Sequence, residues 1–371
     1  MVVPLAFRVI AACVGGLLVI TAARSVIGTV IVPRQVGSWL TRWVDKLINA
    51  AFLMATARIT DHKRRDRVLA AQAAAILLGQ LVAWLVIFYI GFALLLWPFI
   101  PRGIATAFSL AGPAVFGSNS SRGAAERTLA DLAAIAGLIV VTLQIAYLPT
   151  LYSAFNRRET EITLLNARAG VPSWGPELLA RTHYALGSGS STIDTLPDLY
   201  QQWERWAADV AESHTTYLPL VRFRSPRPLS SWVTALLAVL DSAALYLSLS
   251  PKAAPVVPAR LCLRSGFICF RAIAGAMGID LPDEADPSAG ISLTYEEYLH
   301  GIAQMLYVDF PKEREPAEAW QDFVGWRVNY EQAAYAVAAA LDVVPALWSG
   351  PRRRPVPPIA PLRPPQGRPP R

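Results

Sequence analysis

The sequence predicts an all-α chain: integral membrane helices first, then a helical domain in water. Three observations carry this. Charged residues make up 16% of the 371 residues, against about 25% in soluble domains. The apolar residues gather in three blocks within residues 1–156. Beyond residue 157, charges and tryptophans return on amphipathic stretches, with no strand alternation of useful length.

The net charge of +7 would suit nucleic acid or a membrane surface. The basic residues stand beside apolar blocks and in a proline-rich tail, which favours a membrane surface. The expected partner is therefore the lipid bilayer, with no nucleic acid. Cys13 lies in an apolar block, and Cys262 and Cys269 are seven apart. Neither a zinc spacing nor a disulfide framework results, so the three read as small buried hydrophobes.

The first block, residues 9–32, is broken only by Arg24, which can snorkel to headgroups. A signal peptide competes with a retained span. The run is too long for one, and no A-x-A-like site follows. Residues 33–67 form a basic segment. Within it Trp39, Trp43, Leu47, Phe52 and Leu53 recur at helical spacing. They mark an interfacial amphipathic helix or a helix packed on a soluble domain. Residues 68–101 hold no ionisable side chain. A helix over 71–97 exceeds the roughly 20 residues needed to cross a bilayer, and Trp97-Pro98 marks its exit. The third block, 132–156, lies between Asp131 and Arg157, with Pro149 placed to bend its last turns. Gly79, Ala83 and Gly137 allow close helix contact. Gln80 and Gln144 either bind helices together or line a pore.

Orientation follows from Lys/Arg counts. Residues 33–67 carry Arg34, Arg42, Lys46, Arg58, Lys63, Arg64, Arg65 and Arg67, and residues 98–127 only Arg102, Arg122 and Arg127. The positive-inside rule places the first loop in the cytoplasm. The N-terminus is then outside the inner membrane and everything after residue 155 is inside.

The connection between the second and third spans is unusually apolar. Residues 103–112 suit a short helix ended by Pro113, after which Val115, Phe116, Gly117 and Ser118 would run extended. A half-helix followed by extended backbone between two spans is the layout of a re-entrant pore loop. Residues 68–156 thus resemble the pore module of the potassium-channel superfamily, in particular the two-pore-domain-like channel proteins of bacteria. The stretch LQIAYLPTLYSAFNRRETEITLLNARAG is similar to the inner helix and linker of that group. Looser similarity runs through ESHT, SWVTALLAVLD and DFVGWRVNY. The resemblance implies an oligomer, tetrameric if channel-like, and a monovalent cation as the permeant species. Its filter-like residues would be Ala114, Val115, Phe116, Gly117 and Ser118, with Gln144 lining the inner helix. The filter is degenerate. A potassium filter reads T-x-G-Y/F-G, and here the threonine and first glycine are missing.

Residues 157–350 read as a cytoplasmic helical domain. Residues 158–168 continue the third span. Residues 199–212, 261–277, 294–308, 316–329 and 331–348 read as helices. Residues 230–249 are either a buried core helix or a fourth span, and Asp241 near the middle favours the core. Arg264 and Arg271 share a face, with Asp241 one candidate partner. No catalytic, phosphate-loop or metal motif includes His62, His183, His214 or His300, so no enzyme activity and no cofactor are expected. His214 after Ser213 reads as a structural histidine, Glu296 and Glu297 as a solvated helix face, and GSGSS at 187–191 as a loop. A tail at 351–371 is rich in proline and arginine. It should be disordered and drawn to anionic lipid or acidic partners.

The functional expectation is an ion-channel-like membrane protein, passing cations with poor or lost selectivity. The alternative is a non-conducting scaffold or sensor that keeps the pore-module fold.

Overall fold

A computed structural model describes residues 4–32, 38–101, 103–118, 123–183, 192–282 and 290–362. Among them every regular element is helical, and a lone parallel bridge joins Ala346 and Ile359. The chain divides into two compact units. One comprises residues 1–58 and 71–153, the other residues 59–70 and 154–371. Four helical stretches among the described residues are long and apolar enough to cross a membrane: Leu5–Ile31, His62–Phe99, Ala124–Ala169 and Trp232–Leu249. The protein is membrane-embedded by this measure.

The first unit is built on α1 (Leu5–Val26), α2 (Trp39–Ala55), α4 (Gln72–Leu96), α5 (Ile104–Val115) and the first part of α6 (Ala124–Ala169). At 25 residues, α4 is about 37 Å long, enough for the hydrocarbon layer with turns to spare. Helices α1 and α4 run antiparallel. Phe7 meets Trp97 edge to face, and the Trp84 indole N–H donates to Ser25. Between these contacts Gly15 and Gly91 let the backbones touch. A Cβ on Gly15 would lie 2.6 Å from the Gly91 carbonyl oxygen. Small residues at a crossing are how apolar helices gain contact where no hydrophobic effect separates them from lipid. Leu17, Ile20, Leu78, Val82, Val86, Leu138 and Ile139 face outward. Such an apolar surface would be costly in water and is neutral in lipid.

Helix α2 starts at Ser38, whose hydroxyl accepts the Thr41 N–H. It belongs to the first unit. Val44 and Ile48 close on Gly79 of α4, and Gln72 donates to Asn49. Of its apolar positions, Phe52 and Leu53 are half-buried, while Trp39, Trp43 and Leu47 are exposed.

The second unit contains α3 (His62–Leu69), the end of α6, α7 (Gly175–His183), α8 (Leu196–Thr216), α9 (Trp232–Leu249), α10 (Val256–Ala276), α11 (Tyr295–Leu306), α12 (Pro316–Arg327) and α13 (Glu331–Leu341). All of α9 is buried by its neighbours. Composition alone would let it cross a membrane, but packing leaves it no face for lipid, so it is the core helix of this unit. Its carboxylate, Asp241, pairs with Arg327 and accepts from Tyr330 at 2.8 Å. Arg327 also binds Glu331 at 2.9 Å, the Tyr335 hydroxyl and the Trp348 carbonyl. The expected partners are thereby corrected. Arg264 is exposed, and Arg271 donates to the Pro282 carbonyl. Burial lifts the Asp241 carboxyl to about 6, with Arg327 and Tyr330 pulling the other way.

Three further arginines fasten this unit. Arg158, fully buried, binds Glu159, the His214 ring and the carbonyls of Leu220 and Phe223. Arg224 joins Asp66 of α3 to the Leu341 and Asp342 carbonyls, while Arg65 pairs with Asp342 at 2.7 Å. Thus α3, which immediately precedes α4 in the chain, is held by the second unit. The tail also departs from expectation. Residues 351–362 are not loose: Arg352 is buried against the Val343 and Val344 carbonyls, Ile359 bonds to Pro345, and Leu362 bonds to Val171. Residues 363–371 lie outside the described residues. Helix α13 stops at Leu341, shorter than the expected 331–348. Asp342 adopts a left-handed φ of 49°, and arginines cap the freed carbonyls.

Candidate pore segment

Helix α5 carries no ionisable side chain, and Gly103 starts it at φ 96°. Its small residues explain its place. Ala107 and Ala111 are fully buried among Ala93, Leu96, Trp97 and Ile100. Phe108 meets Tyr89 of α4 edge to face at 5.4 Å. Further along, Ala114 and Val115 join Trp84, Phe88, Phe92, Ala133 and Val140. The closest approach is at Gly137 of α6. A Cβ there would sit 2.1 Å from the Val115 carbonyl oxygen. Gly137 lies thirteen residues beyond Ala124, about 20 Å along α6 by helical rise.

The end of α5 differs from the sequence expectation. Pro113 does not stop the helix. It costs the hydrogen bond its missing N–H would make, but the buried Ala111, Ala114 and Val115 hold the next turn in place. Residues 114–118 therefore do not form an extended run. Ala114 and Val115 are the last helical residues, and Gly117 turns at φ 86°. The Gly117 N–H donates to the Ala114 carbonyl at 2.9 Å and the Ser118 N–H to the Pro113 carbonyl at 2.9 Å. This pair of bonds is a glycine C-cap of the Schellman type. Phe116 is 76% exposed on the outside of that turn.

Gln144 lies on α6, one turn beyond Val140. It is only 7% exposed, and its Oε1 has no hydrogen-bond partner among the described residues. The structure brings Val115 together with Gly137 and Val140, and records no bond from Gln144 to residues 114–118. Of the small residues singled out, Gly79 and Gly137 are close-contact positions. The Gly15–Gly91 crossing has its sequence signal in Gly15-Gly16 of the first block.

Other candidates in the second unit make structural contacts. The Ser213 hydroxyl reaches the His214 Nδ1 at 3.0 Å. Both are buried, and the other ring nitrogen faces Arg158. Burial, reinforced by Arg158, holds His214 well below its ordinary pKa and so uncharged. Glu297 closes a capping box with Thr294 at the start of α11. Cys262 and Cys269 are buried free thiols, pushed up by burial. Among the described residues no group of three or more His, Cys, Asp or Glu side chains is arranged to hold a metal ion. The side chain of His183 and residues 187–191 lie outside the described residues.

No family model, curated protein or solved structure matches the chain.

Proposed function

We propose that the chain is an ion-channel-like membrane protein. In this reading α4, α5 and α6 form a pore module, and several copies, four by the potassium-channel resemblance, surround one path. The permeant species would be a monovalent cation, passed with poor or lost selectivity. Positive-inside counting orients it, with the N-terminus outside and the second unit cytoplasmic, where it would gate or assemble the pore.

One observation carries the reading. An apolar helix of three turns, α5, returns along α4 and ends against Gly137, well along α6 from its start. A connection that merely crossed the surface would have no reason to bury Ala107, Ala111, Ala114 and Val115 between two span-length helices. The negative end of the α5 dipole comes at this inner end, which suits a cation. In this reading Phe116, Gly117, Ser118 and the Gln144 oxygen would line the path.

A second reading has its own observation. The Pro113 and Ala114 carbonyls are occupied by the glycine cap, which works against a column of free carbonyls that could replace an ion's hydration shell. That favours a non-conducting scaffold or sensor retaining the module.

Reconstitution into planar bilayers, with sodium, potassium and chloride exchanged in turn, separates the two. Cation current carried by folded oligomers supports the channel. Folded oligomers without current under every voltage and pH tried support the scaffold.

A further inference from the structure

We infer that the outer face of α2 is a binding surface for anionic phospholipid headgroups. The inference rests on the membrane-embedded reading and adds a lipid class to it.

Helix α2 has two opposed apolar sides. Val44 and Ile48 are committed to Gly79 of α4. The other side is uncovered: Trp39 is 63% exposed, Trp43 58%, Leu47 71% and Met54 71%. At 100° per residue these four lie within an arc of about 80°. The two indoles contact each other edge to face at 6.4 Å, an amphipathic pair. Arg42 and Lys46 are exposed along one edge of this same arc. Aromatic side chains flanked by cations match the headgroup boundary: indoles sit between acyl chains and water, while cations reach phosphate. Helix α2 belongs to the same compact unit as α1 and α4, the span-length helices whose exposed apolar side chains suit lipid, so lipid is its natural cover. The cations select which lipid. A zwitterionic headgroup offers no net charge to two adjacent positive residues, and an anionic one does.

The test uses the full chain purified in neutral detergent, titrated with phosphatidylglycerol and with phosphatidylcholine of the same acyl chains. Bound lipids are counted by native mass spectrometry. Arg42→Gln/Lys46→Gln should lose about 30-fold in affinity for phosphatidylglycerol and keep its affinity for phosphatidylcholine. Arg42→Lys/Lys46→Arg should behave as wild type. Trp39→Ala/Trp43→Ala should weaken both lipids alike. Unchanged phosphatidylglycerol affinity in the Gln pair overturns the inference. So does an oligomer that dissociates in the Trp pair with lipid preference unaltered, which would assign the face to a second copy. Carbonate extraction keeps the two readings apart. Release of the wild-type chain from membranes overturns the membrane-embedded reading itself, whereas retention with no lipid preference overturns this inference alone.

Discussion

The contact between α5 and α6 can be broken with one methyl group. Gly137→Ala places a Cβ 2.1 Å from the Val115 carbonyl oxygen, and ordinary contact begins at 3.4 Å. The two backbones must therefore part by about 1.3 Å, roughly the difference between those distances. The obstacle is main chain in a capped helical turn, so no rotamer change relieves it. Overpacking of this kind typically costs about 1–3 kcal/mol. Part of that would be met by loosening the last turn of α5 rather than by unfolding. Gly325→Ala is the control, because a Cβ there meets nothing within 4 Å. In an exposed helical position, alanine should be neutral or gain about 0.5–1 kcal/mol. The assay is hydrogen exchange by mass spectrometry on the full chain in detergent, with thermal unfolding in parallel. Gly137→Ala should speed exchange over 111–118 and lower the melting temperature, and Gly325→Ala should do neither. Equal exchange over 111–118 in Gly137→Ala and wild type would refute the close packing of α5 on α6.

Three further outcomes follow from the buried polar groups. Arg327→Met strands Asp241 and Glu331 without their cation and should destabilise the second unit by about 3–5 kcal/mol; adding Asp241→Asn should recover part of this in chemical denaturation, and an additive loss would count against the pairing. Burial lowers His62 to about 4, with Arg224 and Arg65 assisting and Asp66 opposing. The folded state therefore keeps it neutral while the unfolded chain protonates near 6.5. Stability is full above pH 6.5 and falls as pH drops toward 4, by about 3 kcal/mol in all. Melting curves between pH 7.5 and 4.5 should show that slope, smaller in His62→Gln; an identical slope in the variant would remove His62 as a cause. Gln144→Leu deletes a buried oxygen without a partner and should leave stability unchanged or raise it by about 1–2 kcal/mol. If the channel reading holds, the same variant should reduce conductance, and a stable variant with unaltered current would exclude Gln144 from the path.

The parts legible in the sequence were those set by local chemistry. Residues 71–97 and 132–156 stand out because no ionisable side chain interrupts them. The continuation of α6 through residues 158–168 follows from unbroken helical spacing. The capping box at Thr294 and Glu297 is present as letters, on the solvated face expected of Glu296 and Glu297. What could not be read depends on partners remote in the chain. Asp241 and Arg327 are 86 residues apart, and nothing near Asp241 distinguishes Arg327 from Arg264 or Arg271. The assignment of α3 to the second unit depends on Asp342 and Arg224, both far downstream.

The sequence by itself determined where the chain is greasy enough to cross a bilayer, because that threshold depends only on the length and polarity of a continuous segment. Only the tertiary structure decided that Trp232–Leu249, also apolar enough by composition to cross a membrane, is a core helix, and that α5 continues through Pro113 to a glycine cap. Both outcomes are set by which surfaces meet. The burial of a side chain or the completion of a helical turn depends on neighbours that folding supplies from elsewhere in the chain.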